Sequence, residues 1–344
     1  MLEHGGRLRR AAQQYGIPLA DWIDLSTGIN PHSYPVAPID PVCWNRLPED
    51  DDGLEAAAAA YYGNDRLLVL PGSQAAIQAL PALFSPVVVA CLSPLYEEHP
   101  QAWERCGHKL RRLPNLQRML AAMTPNVLLC NPNNPTAQSL PRQALLDAAQ
   151  QLRKRGGWLI VDEAFGDAEP ENCIASVAGS DDAPNLIVLR SLGKFFGLAG
   201  ARVGFMFAAA DKLDALREII GPWAVANPAR VVARCALEDR SWQAEARLRL
   251  AASSQRLAEM LAPLGTVQRT ALFCTVGGNA GSLSVTALAD HFARRGILVR
   301  RFDLHGLIRF GLPGGEGEWQ RLAAAVAEWR SRSISSLMAL SFSI

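Results

Sequence analysis

Residues 186–208 read LIVLRSLGKFFGLAGARVGFMFA. Two apolar runs, 186–191 and 203–208, flank a glycine-rich turn that holds Lys194 and Arg202. Unbroken apolar runs are typical of strands that are covered on both faces. Because an unpaired buried charge is costly, the two cations between these strands are predicted either to be exposed or to face a negative partner.

The same kind of pattern extends through the first two thirds of the chain. Apolar runs predict strands at 67–70, 87–90, 126–130 and 158–162, and helical patterns predict helices at 54–62, 74–83, 97–106 and 142–155. This alternation predicts an α/β fold with a mostly parallel sheet and helices on both faces. Helices dominate from residue 211 to residue 264, and short strands and helices follow. The second part of the chain is therefore predicted to form a smaller α+β unit.

Composition narrows the classes of function. The 344 residues carry a net charge of +1, which does not favour binding to nucleic acid or to a membrane, although a small acidic metabolite could meet a local group of arginines. The N-terminus has no apolar signal core, and no run approaches the ~20 apolar residues of a transmembrane helix. The seven cysteines are scattered and form no C-x-x-C pair, so neither a metal site nor a disulfide scaffold is expected, and a cytoplasmic location is predicted.

Polar residues follow several of the predicted strands. Gly72 and Ser73 occupy a strand-to-helix turn, where they either seat a phosphate or simply cap the helix. Asn134 lies in the proline-stiffened segment CNPNNPTAQ, which is either a polar connection or a ligand-binding loop at the carboxyl end of a strand. Asp162 ends the strand WLIVD, as a structural hydrogen-bonding group or a site residue. Each signal alone leaves both interpretations open.

Taken together, these residues describe the needs of one cofactor. A lysine in an apolar site has a lowered pKa and becomes a nucleophile for carbonyl groups, and Lys194 lies beside two phenylalanines. Binding of pyridoxal phosphate also needs an aspartate for the ring nitrogen, an asparagine for the ring hydroxyl and a site for the phosphate, and the sequence offers candidates for all three.

At this point the chain resembles the fold-type I pyridoxal-phosphate enzymes, in the aminotransferase class that includes histidinol-phosphate aminotransferase. The motifs NPNNPT, VDEAF and SLGKFFGLAGARVGF carry the resemblance, in the family's order. It implies that Lys194 forms the Schiff base, that Asp162 keeps the pyridinium nitrogen protonated, and that Asn134 bonds the ring hydroxyl. The remaining cofactor-binding residues that it implies are Gly72, Ser73, Gln74, Ser191 and Arg202 for the phosphate and Tyr96 for stacking on the ring.

The N-terminal part narrows the resemblance. EHGGRL and DLSTGINP are similar to segments of the threonine-phosphate decarboxylase family of cobalamin biosynthesis, in which the N-terminal segment covers the active site. This implies a phosphorylated amino acid as substrate, bound by His4, Gly5, Asn30, Arg300 and Arg309, with Arg301 as a register alternative to Arg300. Which arginine takes the phosphate and which the carboxylate stays open.

Three positions depart from the family patterns. Phe165 replaces a tyrosine that often bonds the ring hydroxyl, and Leu47 replaces a tyrosine that usually reaches the neighbouring subunit's site. Arg7 stands where the decarboxylases often have an asparagine after H-G-G. These departures leave the motifs in place and affect individual contacts.

The resemblance implies the decarboxylation of L-threonine O-3-phosphate in a homodimer. Because orientation at Cα chooses between loss of carbon dioxide and loss of a proton, an aminotransferase of the histidinol-phosphate or aromatic type is the main alternative. A non-catalytic partner in cobalamin assembly or a cofactor-binding regulator is the alternative from another class. The predicted organisation is an N-terminal segment at 1–35 that joins the small domain, a cofactor-binding domain at 36–220, a small domain at 221–332 and a tail at 333–344.

Overall fold

The computed structural model describes residues 4–277 and 284–341. The first three residues of the predicted N-terminal segment and residues 342–344 of the predicted tail lie outside the described residues. The chain divides into two compact units. The large unit contains 33–134 and 138–247, and the small unit contains 1–32, 135–137 and 248–344.

The secondary structure elements are numbered along the chain. The strands are β1 Ile23–Asp24, β2 Leu67–Leu70, β3 Val88–Leu92, β4 Lys109–Leu113, β5 Asn126–Cys130, β6 Trp158–Asp162, β7 Leu186–Ser191, β8 Gly204–Phe207, β9 Thr266–Arg269, β10 Phe273–Gly277, β11 Ile297–Leu298, β12 Arg300–Phe302 and β13 Leu307–Gly311. The helices are α1 Leu8–Tyr15, α2 Leu54–Tyr62, α3 Ser73–Ala79, α4 Glu98–Arg105, α5 Leu116–Ala121, α6 Arg142–Arg153, α7 Ala210–Ile220, α8 Asn227–Glu238, α9 Arg240–Leu261, α10 Val285–Ala293 and α11 Glu316–Ser341.

The large unit is built on a seven-stranded sheet with the order β2-β8-β7-β6-β5-β3-β4. The strands from β7 to β4 are parallel, and β8 runs antiparallel to both β7 and β2. The predicted mostly parallel sheet is therefore confirmed. Apolar side chains such as Leu128, Ile160 and Ile187 are buried in the core that helices complete, which is why their strands read as unbroken apolar runs.

The strand β4 was not predicted, because its sequence KLRRL is rich in charge. It lies at the edge of the sheet, where it pairs with β3 alone. Its residues are half-buried or exposed, and charged side chains on an edge strand discourage pairing with another chain. Tertiary position, rather than apolar periodicity, makes this segment a strand.

The small unit has two separate sheets. An antiparallel sheet has the order β12-β13-β10-β9, and β1 pairs in parallel with β11. The helix α1, which was not predicted, packs Ala11 against Trp22 and Ala293. It ends at Gly16, whose φ of 66° is the left-handed conformation that favours glycine at a helix C-terminus.

The boundary between the units falls inside α9, between Arg247 and Leu248, and not at the predicted residue 220. One physical reason is Arg230 of α8, which is buried and belongs to the large unit. Its guanidinium binds Asp52 at 2.7 Å and Glu55 at 2.7 Å at the start of α2. Sequence periodicity could not show that α8 pairs with α2. Among the described residues, no helix combines the length and apolar character needed to span a membrane.

Candidate active site

The carboxyl ends of the parallel strands bring the predicted cofactor residues to one edge of the large sheet. β5, β6 and β7 end at Cys130, Asp162 and Ser191. Register pairs Cys130 with Asp162, and Ser191 with Gly204 at the start of the antiparallel β8. Because parallel strands share one polarity, the loops that follow them meet at this edge, the usual place for ligands in open α/β sheets.

Asp162 is held by two hydrogen bonds in a buried setting. Its Oδ2 lies 2.8 Å from Nε2 of His99, and its Oδ1 accepts a hydrogen bond from the backbone N–H of Ala164 at 2.9 Å. Asp162 is 5% exposed and His99 is 1% exposed. A buried carboxylate with fixed partners keeps one orientation, as a partner for a ring nitrogen requires.

His99 is a residue that the sequence reasoning missed. It lies on α4, three residues after the predicted stacking residue Tyr96 in the stretch YEEH. The two rings are 6.3 Å apart in an edge-to-face arrangement. The helical spacing of an aromatic residue and a histidine was the available signal, but only the sheet register brings Asp162 to it.

Cys130 completes a buried group with His99 and Asp162, whose ligand-type atoms all lie within 4.8 Å of one another. Burial raises the pKa of the Cys130 thiol well above its ordinary value, and the nearby Asp162 charge adds to the rise, although backbone N–H groups of Tyr96 and Asn134 act against it. Within this group, the hydrogen bond from His99 supports Asp162.

The predicted phosphate seat comes together between α3 and the turn before β8. Gly72 has a φ of 76°, and a Cβ there would lie 2.6 Å from Nη2 of Arg202. A Cβ on Gly204 would lie 2.3 Å from the backbone nitrogen of Ser73. The glycines therefore let backbone N–H groups and a guanidinium converge, and larger side chains would fill the space between them.

Gln74 and Tyr96 are joined beside this seat. The Tyr96 hydroxyl donates to Oε1 of Gln74 at 3.3 Å, and Nε2 of Gln74 donates to Glu98 at 3.0 Å. Burial first, and then the charges of Glu98 and Asp162, raise the pKa of Tyr96 to about 12. The phenol thus stays protonated and can hold its ring in place.

Lys194 is half-buried in the turn after β7, and its Nζ lies 5.6 Å from the centre of the Phe165 ring. The departure at Phe165 therefore places an apolar ring, with no hydroxyl, next to the candidate nucleophile.

A second buried charge cluster, also missed from the sequence, includes the chain neighbours of Asp162 and Ser191. Arg190 binds Glu163 at 2.9 Å and Asp167 at 2.5 Å, and Glu163 accepts a hydrogen bond from the backbone of Ile174 at 2.7 Å. Burial acts to lower the pKa of Arg190, but Asp167, Cys173 and Glu163 outweigh it and raise it well above the ordinary value. Since Glu163 follows Asp162 and Arg190 precedes Ser191, the cluster fixes the ends of β6 and β7.

The predicted substrate residues of the small unit include two arginines in direct register. Arg300 on β12 pairs with Arg309 on β13, so the two side chains project from the same face of the antiparallel sheet. Arg309 is 6% exposed and donates to the carbonyl oxygen of Ser26 at 2.7 Å. Two guanidinium groups on one face of the sheet suit the binding of an anionic ligand.

The N-terminal residues lie against the segment STG, residues 26–28, of the same unit. The N–H of Gly6 donates to Oγ of Ser26 at 2.7 Å, and a Cβ on Gly5 would lie 2.4 Å from the Ser26 carbonyl oxygen. Only glycine permits this approach at Gly5. His4 precedes it, and Asn30 is buried, with its Oδ1 accepting from the N–H of His32 at 2.9 Å.

The predicted site residues thus form two groups, each within one unit. The large unit contains Gly72, Ser73, Gln74, Tyr96, Asn134, Asp162, Ser191, Lys194 and Arg202, and the small unit contains His4, Gly5, Asn30, Arg300 and Arg309. The large-unit group fits pyridoxal phosphate on its own chemistry. It offers a lysine, an oriented carboxylate and a glycine-lined anion seat whose space a single Cβ would fill.

Comparison with known proteins identifies the family. The family model described as aminotransferase class I and II matches residues 45–326. The chain belongs to the class I and II aminotransferase family. The resemblance inferred from NPNNPT, VDEAF and SLGKFFGLAGARVGF is confirmed.

Within the class I and II aminotransferase family, the chain is 49% identical to the threonine-phosphate decarboxylase of Pseudomonas aeruginosa, over 95% of this chain and 97% of that one. It is 37% identical to the threonine-phosphate decarboxylase of a Sinorhizobium species, over 94% of this chain and 97% of that one. The fold matches histidinol-phosphate aminotransferase from Sinorhizobium meliloti in complex with pyridoxal-5'-phosphate, with a TM-score of 0.81 and 22% identity over 97% of this chain and 96% of that one. The predicted fold-type I architecture is confirmed.

Proposed function

We propose that this protein decarboxylates L-threonine O-3-phosphate with pyridoxal phosphate, giving (R)-1-amino-2-propanol O-2-phosphate for cobalamin biosynthesis. Support comes from relatives of that name at 49% and 37% identity over nearly the whole chain. The structural observation on which the proposal rests is that Arg300 and Arg309 lie directly opposite each other on neighbouring antiparallel strands. A substrate with a phosphate and a carboxylate supplies one anion to each guanidinium.

In this proposal the large-unit group holds the cofactor. Asp162, oriented by His99 and Ala164, would face the ring nitrogen, and Asn134 would bond the ring hydroxyl. The phosphate would be bound by Gly72, Ser73, Gln74, Ser191 and Arg202, and Tyr96 would stack on the ring. When bound, pyridoxal phosphate supplies an electron sink for the pair left at the substrate Cα.

The small-unit group chooses the reaction by orienting the substrate. Arg300 and Arg309, with His4, Gly5 and Asn30, hold the anionic groups so that the bond from Cα to the carboxylate is the one that breaks. Carbon dioxide leaves, and its bonding electrons stay with the organic part. Lys194 would donate a proton from Nζ to Cα.

The test supplies L-threonine phosphate to the purified holoenzyme with and without 2-oxoglutarate. Carbon dioxide is expected in both reactions, in equal amount with the phosphorylated amine, and no glutamate is expected. Glutamate formation without carbon dioxide would refute the decarboxylase and establish the aminotransferase alternative. Turnover with either outcome excludes a purely non-catalytic role.

We further propose that the protein is a cytoplasmic homodimer. The segment before α2 exposes large apolar side chains, with Val42, Trp44 and Leu47 each more than half exposed. All seven cysteines are free thiols, which suits a reducing compartment. Light scattering on the purified protein is expected to give twice the chain mass, and a mass equal to one chain would overturn the dimer.

A further inference from the structure

Two phenylalanines follow Lys194 directly and anchor the turn after β7. Phe195 and Phe196 are fully buried, whereas Lys194 before them is half-buried. The two phenylalanine rings lie 5.0 Å apart in an edge-to-face arrangement. A lysine side chain is flexible, so the place that its Nζ reaches depends on where the backbone of the same residue is held. The contacts of the two rings therefore bear directly on the candidate nucleophile.

Trp242 of α9 contacts both of these rings. It stacks on Phe196, with 13° between the ring planes and 5.6 Å between the ring centres. It also meets Phe195 edge-to-face, with the ring centres again 5.6 Å apart. Aromatic pairs favour both geometries, and such pairs stabilise beyond the area that they bury. Because all three residues belong to the large unit, these contacts do not involve the small unit.

Trp242 is itself held in place at the start of α9. The side chain of Asp239 accepts a hydrogen bond from the backbone N–H of Trp242 at 2.9 Å, which is the contact that an N-cap residue makes. The next residue, Gln243, donates from Nε2 to the carbonyl oxygens of Ala236 and Leu237 at the end of α8, both at 2.9 Å. Hydrogen bonds therefore fix the corner between α8 and α9 from which the indole projects.

Tyr34 links Trp242 to the backbone of the same turn. Its N–H donates to the carbonyl oxygen of Phe196 at 2.8 Å. Its ring meets Trp242 edge-to-face, with the ring centres 5.4 Å apart. The turn that contains Lys194 is thus connected to the indole through two side chains and through one backbone hydrogen bond. Removal of the indole is expected to loosen the turn at each of these contacts.

We propose that Trp242 is a positioning residue for Lys194 and acts through Phe195 and Phe196. This inference rests on the proposed function, since it takes Lys194 as the residue that would link to the cofactor and donate a proton to Cα. A reacting group has to be held within about 0.5 Å of its productive place, and a displacement of about 1 Å can cost about 100-fold in rate. Trp242 acts on the position of Nζ and not on the binding of substrate.

Three variants separate the aromatic contacts from general stability. Trp242→Met replaces the ring by a flexible apolar side chain that fills space but cannot stack, and Trp242→Phe keeps a ring. Trp158→Met is the matched control, because Trp158 is also half-buried in the large unit and meets one ring, that of Phe84, edge-to-face at 5.7 Å. Trp158 begins β6, at the opposite end of that strand from Asp162. The two methionine variants are expected to lose similar stability in thermal unfolding.

The first experiment records the visible absorbance of the lysine-linked cofactor in each holoenzyme, divided by the total cofactor that alkali releases. Trp242→Met is expected to lower this ratio about twofold or more, because Nζ is no longer held where the link forms. Trp242→Phe and Trp158→Met are expected to keep the parent's ratio. An unchanged ratio in Trp242→Met, or an equal fall in Trp158→Met, would overturn the inference.

The second experiment measures kcat and KM for L-threonine phosphate. Trp242→Met is expected to lower kcat by about 10- to 100-fold and to leave KM within about twofold, because the placement of the proton donor rather than substrate binding is impaired. Trp242→Phe should stay within about threefold of the parent's kcat, since its ring can still pack against the two phenylalanines. A phenylalanine variant as slow as Trp242→Met would contradict positioning by ring contacts, and a parent-like kcat in Trp242→Met would make Trp242 a packing residue.

The two experiments also separate this inference from the proposed function. If the absorbance ratio falls in Trp242→Met but the parent releases no carbon dioxide from L-threonine phosphate, the positioning role stands and the proposed reaction fails. If the parent decarboxylates the substrate and Trp242→Met does so with the same absorbance ratio and kcat, the reaction stands and the positioning role fails.

Discussion

The edge of the large sheet at which β5, β6 and β7 end differs in its charge arrangement from the small unit's sheet face that carries Arg300 and Arg309. We call the second surface the arginine face. At the sheet edge, buried charges are paired inside the protein, as in His99 with Asp162 and Arg190 with Glu163. In the small unit, Arg300 and Arg309 lie opposite each other with the same sign. Paired charges hold fixed positions, which a resident cofactor needs, whereas two guanidinium groups on one sheet face suit an anionic substrate.

The largest effect is expected at the candidate nucleophile. Lys194→Ala should lower turnover by at least about 10⁴-fold, because both the covalent link to the cofactor and the proton donor are lost. It should also remove the visible absorbance of the lysine-linked cofactor, which a spectrum of the purified protein measures. Lys154→Ala, an exposed lysine of the same unit, is the control. A variant that keeps the absorbance would show that another lysine holds the cofactor.

The paired character of the sheet edge predicts a large loss of stability when Arg190 is removed. Arg190→Met leaves Glu163 and Asp167 buried without their partner, and the free energy of unfolding should fall by about 3–5 kcal/mol. Urea denaturation measures this. Arg217→Gln, which removes an exposed partner of Asp214, should cost no more than about 1 kcal/mol. Similar losses for the two variants would break the contrast between the regions.

His99 is expected to act by positioning Asp162. His99→Leu should lower kcat by about 10- to 100-fold, the factor that corresponds to one hydrogen bond to a charged group. His99→Gln keeps a donor and should recover part of the rate, and KM should change less than kcat in both variants. Steady-state kinetics measure the two constants separately. If His99→Leu turns over at the parent's rate, the histidine is only a packing residue.

The smallest expected effect on stability belongs to the arginine face. Arg300→Gln should raise KM by about tenfold through the loss of a charge-assisted hydrogen bond. Its free energy of unfolding should stay the same or rise slightly, since repulsion with Arg309 is relieved. Arg269→Gln, on an exposed position of the same sheet, should change neither quantity. A clear loss of stability in Arg300→Gln would show that Arg300 stabilises the fold by a charge pair within the protein, as Arg190 does at the sheet edge.

The parts of the fold that were predictable are those in which local pattern and tertiary position agree. The apolar runs that end at Cys130, Asp162 and Ser191 are strands with the predicted ends. Since parallel strands end at one edge, the convergence of the cofactor residues also followed from the sequence. The charged strand β4 and the helix α1 lacked an apolar signal of their own, and their neighbours decide their structure.

The sequence by itself determined the fold class and the chemistry of the cofactor group, because glycine-rich turns, a lysine and strand-end polar residues have local signatures. Only the tertiary structure decided which charges are paired. His99 meets Asp162, Arg190 joins two strand ends, and α8 pairs with α2 across long separations in the chain. It also placed Arg7, Arg10 and Arg300 in the lining of one cavity. Such contacts depend on distance in space, and a single sequence records only distance along the chain.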